Sequence, residues 1–246
     1  MNIFTKTDIG LVRTENQDNV WGEMLSPTAC AAVLCDGMGG ESEGGLASAI
    51  AVDIISKRIK ESFSEKMSRN SVRNLLITAV NAANSIVYEE AQKRPEHIVM
   101  GTTCVVAVVF DGRAHIVNVG DSRAYQIFST ETDDCIRQVT KDHSHVQDLV
   151  DKGKITEEEA KHHPQGNIIT RAIGADSSVT ADYFEIELNE GEKILLCSDG
   201  LSSYGDDYDI MDICIYTKPE ETCEALVRYA NANGGNDNVS VAVITA

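Results

Sequence analysis

The chain has 246 residues, 42% of them hydrophobic and 24% charged, enough apolar material for a full core and an ordinary balance for a globular protein. Its formal net charge of −18 is far from ordinary. A surface that acidic repels phosphate backbones at long range, which argues against a nucleic-acid partner.

No run approaches the roughly 20 apolar residues that cross a bilayer, and "MNIFTKTDIG" has no basic segment leading into an apolar one. The seven cysteines form no C-x-x-C pair and lie mostly inside apolar runs, as small buried hydrophobes of a reducing compartment do. The expectation is a cytoplasmic protein without a membrane anchor. Only four prolines and no low-complexity linker interrupt the chain, so a single domain is the simplest account.

In chain order, 2–10 and 28–35 read as strands. The segment 43–63 carries Leu46, Ile50 and Ile54 at helical spacing, and 72–92 places Val72, Leu76, Ala79, Ala83 and Ile86 on one stripe. Strands follow at 101–110, 113–119, 122–128 and 135–139. Residues 145–163 read as short charged helices, with Thr156 as the N-cap of "ITEEEAK". Strands return at 179–188, 193–197 and 238–245, with helices at 207–215 and 219–232 between the last two. Helices gathered in pairs, apart from hairpin-linked strands, give an α+β class, read as a sheet sandwich with a helix pair outside each face.

Three Asp-Gly pairs follow apolar runs. Asp111-Gly112 separates "TTCVVAVVF" from "RAHIVNV", and a two-residue hairpin explains it fully. Asp36-Gly37 leads instead into "MGGESEGG" and a helix, and Asp199-Gly200 into polar residues and another helix. No returning strand is read after either, so both aspartates are expected at the ends of buried strands with their side chains free.

Asp18, Asp121 and Asp237 occupy similar places, each beside a small or amide residue. Each taken singly reads as a turn or cap residue. Jointly they would repel one another severely unless a cation held them. Mg²⁺ and Mn²⁺ take oxygen ligands of this kind, and the glycines after Asp36, Gly37 first, would let a backbone carbonyl approach an ion closely. Zinc is disfavoured, because no H-x-x-x-H pair or cysteine cluster is present. Arg13, five residues before Asp18, has a guanidinium able to grip two phosphate oxygens, although from the residues alone a surface salt bridge is the better reading of a single arginine.

The strings "RTENQD", "DGMGG", "GTT", "VGDSR", "DHS", "TRAIG", "SDGL" and "GGNDNVS", in this order and across nearly the whole chain, resemble the metal-dependent serine/threonine protein phosphatases of type 2C in their short bacterial form. The resemblance implies an α-β-β-α sandwich of two antiparallel sheets, one catalytic domain over 1–246, and a flap insert at about 145–168. It implies two core Mn²⁺ or Mg²⁺ ions held by Asp18, Asp36, the Gly37 carbonyl, Asp199 and Asp237, some through water, and a weaker third ion at Asp121 with Asp199. Arg13 would hold the phosphate, and a hydroxide bridging the ions would attack phosphorus.

The implied activity is hydrolysis of phosphoserine and phosphothreonine in signalling, opposing a protein kinase. The partners would be phosphorylated proteins, met by a monomer that binds neither nucleic acid nor membrane. Where some members have histidine after "DG" this chain has Met38, and where bacterial relatives often have one after "DGMGG" it has Glu41; neither change removes a ligand. A catalytically weak module that only binds phosphoproteins is the alternative, and loss of a core aspartate would have favoured it.

Overall fold

The computed structural model describes residues 1–40, 42–95, 99–161 and 163–246. Glu41, named above for its place after "DGMGG", lies outside the described residues. Three strands open the chain, β1 (Asn2–Asp8), β2 (Asp18–Ser26) and β3 (Ala29–Gly39), followed by the helix pair α1 (Glu43–Ser62) and α2 (Arg69–Ala91). Then come β4 (Met100–Thr102), β5 (Cys104–Phe110), β6 (Arg113–Val119), β7 (Arg123–Ser129) and β8 (Asp134–Gln138). The short helices α3 (His145–Asp151) and α4 (Glu157–Lys161) precede β9 (Asp182–Glu187). The chain finishes with β10 (Lys193–Cys197), α5 (Asp199–Ser202), α6 (Asp207–Tyr216), α7 (Pro219–Ala232) and β11 (Val239–Thr245).

The strands form two antiparallel sheets, one in the order β1-β11-β10-β7-β8, the other β2-β3-β5-β6-β9 with β4 paired to the end of β3. Both faces of the central strands are buried, so they read as unbroken apolar runs instead of alternating ones. In β3, Ala29, Ala31, Val33 and Cys35 face α1 and α2, whereas Cys30, Ala32 and Leu34 face the other sheet. Leu34 and Ile116 meet Ile194, Leu196 and Ile244 in that inter-sheet layer, among Ala32, Ala107, Ala124 and Ala242. Outside the first sheet, Leu226, Val227 and Ala230 of α7 and Ile210 of α6 pack on Leu195, Val241 and Val243. The layers are α-β-β-α, as expected.

Several expectations need correction. β2 is a strand that the apolar pattern does not predict: Asn19, Gly22 and Glu23 dilute it, and as an edge strand with only Asp18 buried it needs no apolar run. Asp36 does not end its strand, because β3 continues to Gly39 and a returning strand, β4, pairs with Gly37, Met38 and Gly39. The run 101–110 is two strands interrupted at Thr103. Leu46 and Ile86 are exposed; the buried faces are Ala47, Ala51, Ile55 and Ile59 in α1, and Val72, Leu76, Ala79, Val80, Ala83 and Val87 in α2. Alanines on those faces let the helices sit close to the sheet, so side-chain bulk misidentified the inward stripe.

Other details hold. Asp111 and Gly112 have φ of 50° and 65°, the two positive angles of a type I′ turn, and Phe110 pairs with Arg113 across it. Thr156 caps α4: its hydroxyl accepts from the Glu159 N–H (3.2 Å) while the Glu159 carboxylate accepts from the Thr156 N–H (2.8 Å). All seven cysteines are free, and six are buried. No helix among the described residues is long and apolar enough to cross a membrane.

Candidate active site

Antiparallel pairing brings the motif residues to one rim of the sandwich. Asp18 starts β2 and stands directly opposite Asp36 in β3, a like-charge cross-strand pair that is destabilising unless something neutralises it. Asp199 follows β10, and Asp237 precedes β11, the strand paired to it. Asp121 lies just past β6, and Arg13 lies in the loop between β1 and β2.

Hydroxyls fix this rim. The Asp36 N–H donates to Thr103 Oγ1 (3.0 Å), and the Asp36 carbonyl accepts from the Thr103 N–H and from Thr102 Oγ1, each at 2.8 Å. Thr103 Oγ1 lies 2.7 Å from Ser122 Oγ, beside Asp121. Ser198 Oγ donates to Asp18 Oδ2 (2.8 Å) and accepts from the Ser240 N–H (2.9 Å), joining the two sheets. Thr103, Ser122 and Ser198 carry no site chemistry that the sequence alone singles out. Their signal was adjacency, since they sit inside "GTT", "VGDSR" and "SDGL" next to or opposite the aspartates.

The five carboxylates act on one another. Burial pushes Asp18 up to about 7, with Asp199 and Asp237 adding to it against the Ser198 hydrogen bond. Burial raises Asp36 well above the carboxylate range, and the charges of Asp18, Asp199, Asp121 and Asp237 raise it further. Asp121 is pushed up to about 7 by burial and then by Asp199 and Asp142, and Asp199 is raised by burial and then by Asp237. Oδ1 of Asp18 and Oδ1 of Asp199 are buried without a hydrogen-bond partner. An acceptor left so costs about 1–3 kcal/mol, more if charged.

This donor set fits a hard cation: every side chain is a short-armed, acceptor-only oxygen ligand, and two of the oxygens await a partner. Among the described residues no three acidic, histidine or cysteine side chains close a ligand cage alone. A cation here would also draw on water and backbone carbonyl, as Mg²⁺ and Mn²⁺ do.

The competing readings of Arg13 meet at this rim. Its side chain is 56% exposed and its Nη2 lies 2.8 Å from Asp237 Oδ2, so the salt bridge is formed. Asp199 and Asp36 add to the field that holds the guanidinium charged. Gly37 sits under α1, where an added Cβ would lie 2.1 Å from the Gly44 carbonyl oxygen and 2.6 Å from that of Gln17. Both neighbours are backbone and cannot swing away. Gly37→Ala is therefore expected to cost about 1–3 kcal/mol or more, read from the urea midpoint; an unchanged midpoint would contradict this packing.

The segment carrying α3 and α4 is closed at its base by hydrogen bonds from the His145 N–H to the Ile168 carbonyl and from the Thr170 N–H to the His143 carbonyl, both 2.8 Å. His143 Nδ1 accepts from the Gly120 N–H (3.0 Å), so this base adjoins Asp121.

Comparison with known proteins agrees with this arrangement. Residues 12–238 match the family model described as protein phosphatase 2C. Protein phosphatase PhpP of Streptococcus pneumoniae is 35% identical over 246 residues, covering 100% of this chain and 97% of that protein. The crystal structure of serine/threonine phosphatase Stp1 from Staphylococcus aureus superimposes with a TM-score of 0.89 at 35% identity, covering 99% of this chain and 94% of that one. The catalytic domain of serine threonine protein phosphatase PstP, in complex with 2 manganese ions, matches with a TM-score of 0.78 at 33% identity, covering 98% and 96%. A family match over nearly the whole length, on a fold of the same layers with the motif aspartates at one rim, settles the relationship: the chain belongs to the protein phosphatase 2C family and is a metal-dependent protein phosphatase.

Proposed function

We propose that this chain hydrolyses phosphoserine and phosphothreonine on proteins, opposing a protein kinase, with Mn²⁺ or Mg²⁺ at the aspartate rim. The observation that carries the reading is the convergence of five carboxylates, two with an orphaned buried oxygen, beside an exposed arginine. Asp18, Asp36, the Gly37 carbonyl, Asp199 and Asp237 would hold two core ions, and Asp121 with Asp199 a weaker third. The two manganese ions of the PstP domain are in keeping with the core pair. Bound divalent cations supply Lewis acidity that makes water nucleophilic near neutral pH and offsets phosphoryl charge.

The chain's own residues do the rest. Arg13 exchanges its Asp237 partner for the phosphate and orients it by two parallel hydrogen bonds. Thr103 holds the backbone on both sides of Asp36, so that carboxylate does not move as charge develops. Met38 carries no titratable group, so the proton for the leaving oxygen would come from another group or from water held at the rim. The 145–168 insert, rooted next to Gly120, is where substrate sequence would be read. Free buried cysteines and the charge of −18 suit a cytoplasmic enzyme, read as a monomer acting on phosphoproteins and not on nucleic acid or membrane.

The test is phosphate release from a phosphothreonine peptide with Mn²⁺ and with chelator, using a phosphotyrosine peptide as the comparison. Release should require metal and favour phosphothreonine. Arg13→Ala should raise KM by about tenfold with a smaller effect on kcat, as expected for a lost charge-assisted phosphate contact. Metal-independent turnover would overturn the reading, and an unchanged KM would remove Arg13 from it.

A further inference from the structure

Arg13 belongs to a segment, 9–17, with no helix or strand of its own. An exposed loop of that length wanders unless it is tied down. Here the ties converge on one side chain. Asn238 is 6% exposed, and its Nδ2 donates to the Ile9 carbonyl (3.0 Å) and to the Glu15 carbonyl (2.9 Å), while its Oδ1 accepts from the Gln17 N–H (2.8 Å). Those three contacts bracket Arg13 on both sides. The Asn238 N–H donates to Asp237 Oδ1 (2.9 Å), leaving Asp237 Oδ2 to Arg13 (2.8 Å).

The neighbouring turn packs against the same loop. The Leu11 N–H donates to the Gly235 carbonyl (2.7 Å). Gly10, at φ 78°, lies so close that an added Cβ would sit 2.2 Å from the Asp237 carbonyl oxygen. Side-chain chemistry at 238 is restrictive: two donors and an acceptor are needed on a short arm, which aspartate lacks and glutamine carries one methylene too far out.

We propose that Asn238 is the positioning residue of the Arg13 loop, fixing where the guanidinium stands relative to Asp237 and therefore to the phosphate. It touches no substrate and acts only through Arg13. The proposal rests on the reading of Arg13 as the phosphate-holding group, so its tests separate the two.

In the metal-loaded full chain, Asn238→Ala should raise KM for a phosphothreonine peptide by about five- to tenfold while kcat changes by less than about threefold. The Mn²⁺ concentration for half-activation should stay within about twofold of wild type, which a general loosening of the rim would not allow. The double variant Arg13→Ala/Asn238→Ala should be no worse than Arg13→Ala alone, because a residue that acts through Arg13 has nothing left to position. Losses that multiply would overturn the proposal.

Trypsin gives a readout independent of activity. Cleavage after Arg13 should accelerate by about tenfold or more in Asn238→Ala, with cleavage after the exposed Lys66 unchanged. An unchanged rate after Arg13 would overturn the clip. If only the KM of Arg13→Ala fails to move, the phosphate reading falls and with it the positioning of phosphate, even where trypsin reports a loosened loop. Should Asn238→Ala not fold, Asn238→Ser replaces it in the same assays, and equal cleavage at both sites counts against a local role.

Discussion

Asp36→Asn and Asp199→Asn are each expected to lower phosphate release from a phosphothreonine peptide by a factor on the order of 10²–10³ or more at saturating Mn²⁺. Asp111→Asn should stay within about twofold of wild type, because asparagine also tolerates the left-handed conformation that this hairpin requires. All three positions are Asp-Gly pairs after an apolar run, so local sequence resemblance predicts equal effects and the structure does not. Asp36 is buried among four further aspartates whose charges raise its carboxyl, Asp199 among them, whereas Asp111 sits in a hairpin turn elsewhere. Equal losses in all three variants would sink the distinction. Asparagine preserves size, so a retained melting temperature would show that the loss is chemical.

Removing metal should change how stability depends on pH. In the chelated protein Asp18 and Asp121 titrate at about 7, against an ordinary value of 3.8. A carboxyl whose folded value is raised binds its proton more tightly in the native state, so its contribution is fully present below about 4 and is lost as pH rises through about 7. The chelated protein should therefore melt at a lower temperature near pH 7.5 than near pH 5.5, roughly by several degrees. With Mn²⁺ the order reverses, because the ion binds the deprotonated carboxylates and stabilises the native state by mass action. The increment between Mn²⁺ and chelator, measured by thermal unfolding, should grow from about pH 5.5 to about pH 7.5. An increment independent of pH would mean that these carboxylates do not hold the ion.

The aspartates were legible because burial of charge is rare enough to be conspicuous: a carboxylate at the margin of an apolar run has few structural uses. The layers were legible too, since strands buried on both faces leave uninterrupted runs of valine, alanine and cysteine. What escaped follows from the same physics. β2 pairs through backbone and needs only modest apolar content at an edge, so Asn19, Gly22 and Glu23 concealed it. Leu46 and Ile86 misled because bulk is a poor guide where a helix must lie close to a sheet, and alanine is the residue that allows it. Thr103, Ser122, Ser198 and Asn238 could not be ranked at all. Their importance lies in partners up to 229 residues away, and a polar residue in a motif looks the same whether it holds an active site or faces water.

The carboxylates at the rim come from both sheets: Asp18 and Asp36 from one, Asp199 and Asp237 from segments flanking strands of the other. An ion gripped by both sets would act as a rivet across the sandwich. The halves could then not splay at that end without releasing it, so residence time of the metal and the rate at which the layers part would become two views of one event. The seam of Ala32, Ala107, Ala124 and Ala242 between the sheets would then bear on the opening of that grip. A bulkier side chain there would loosen the ion from a distance, without touching a single ligand.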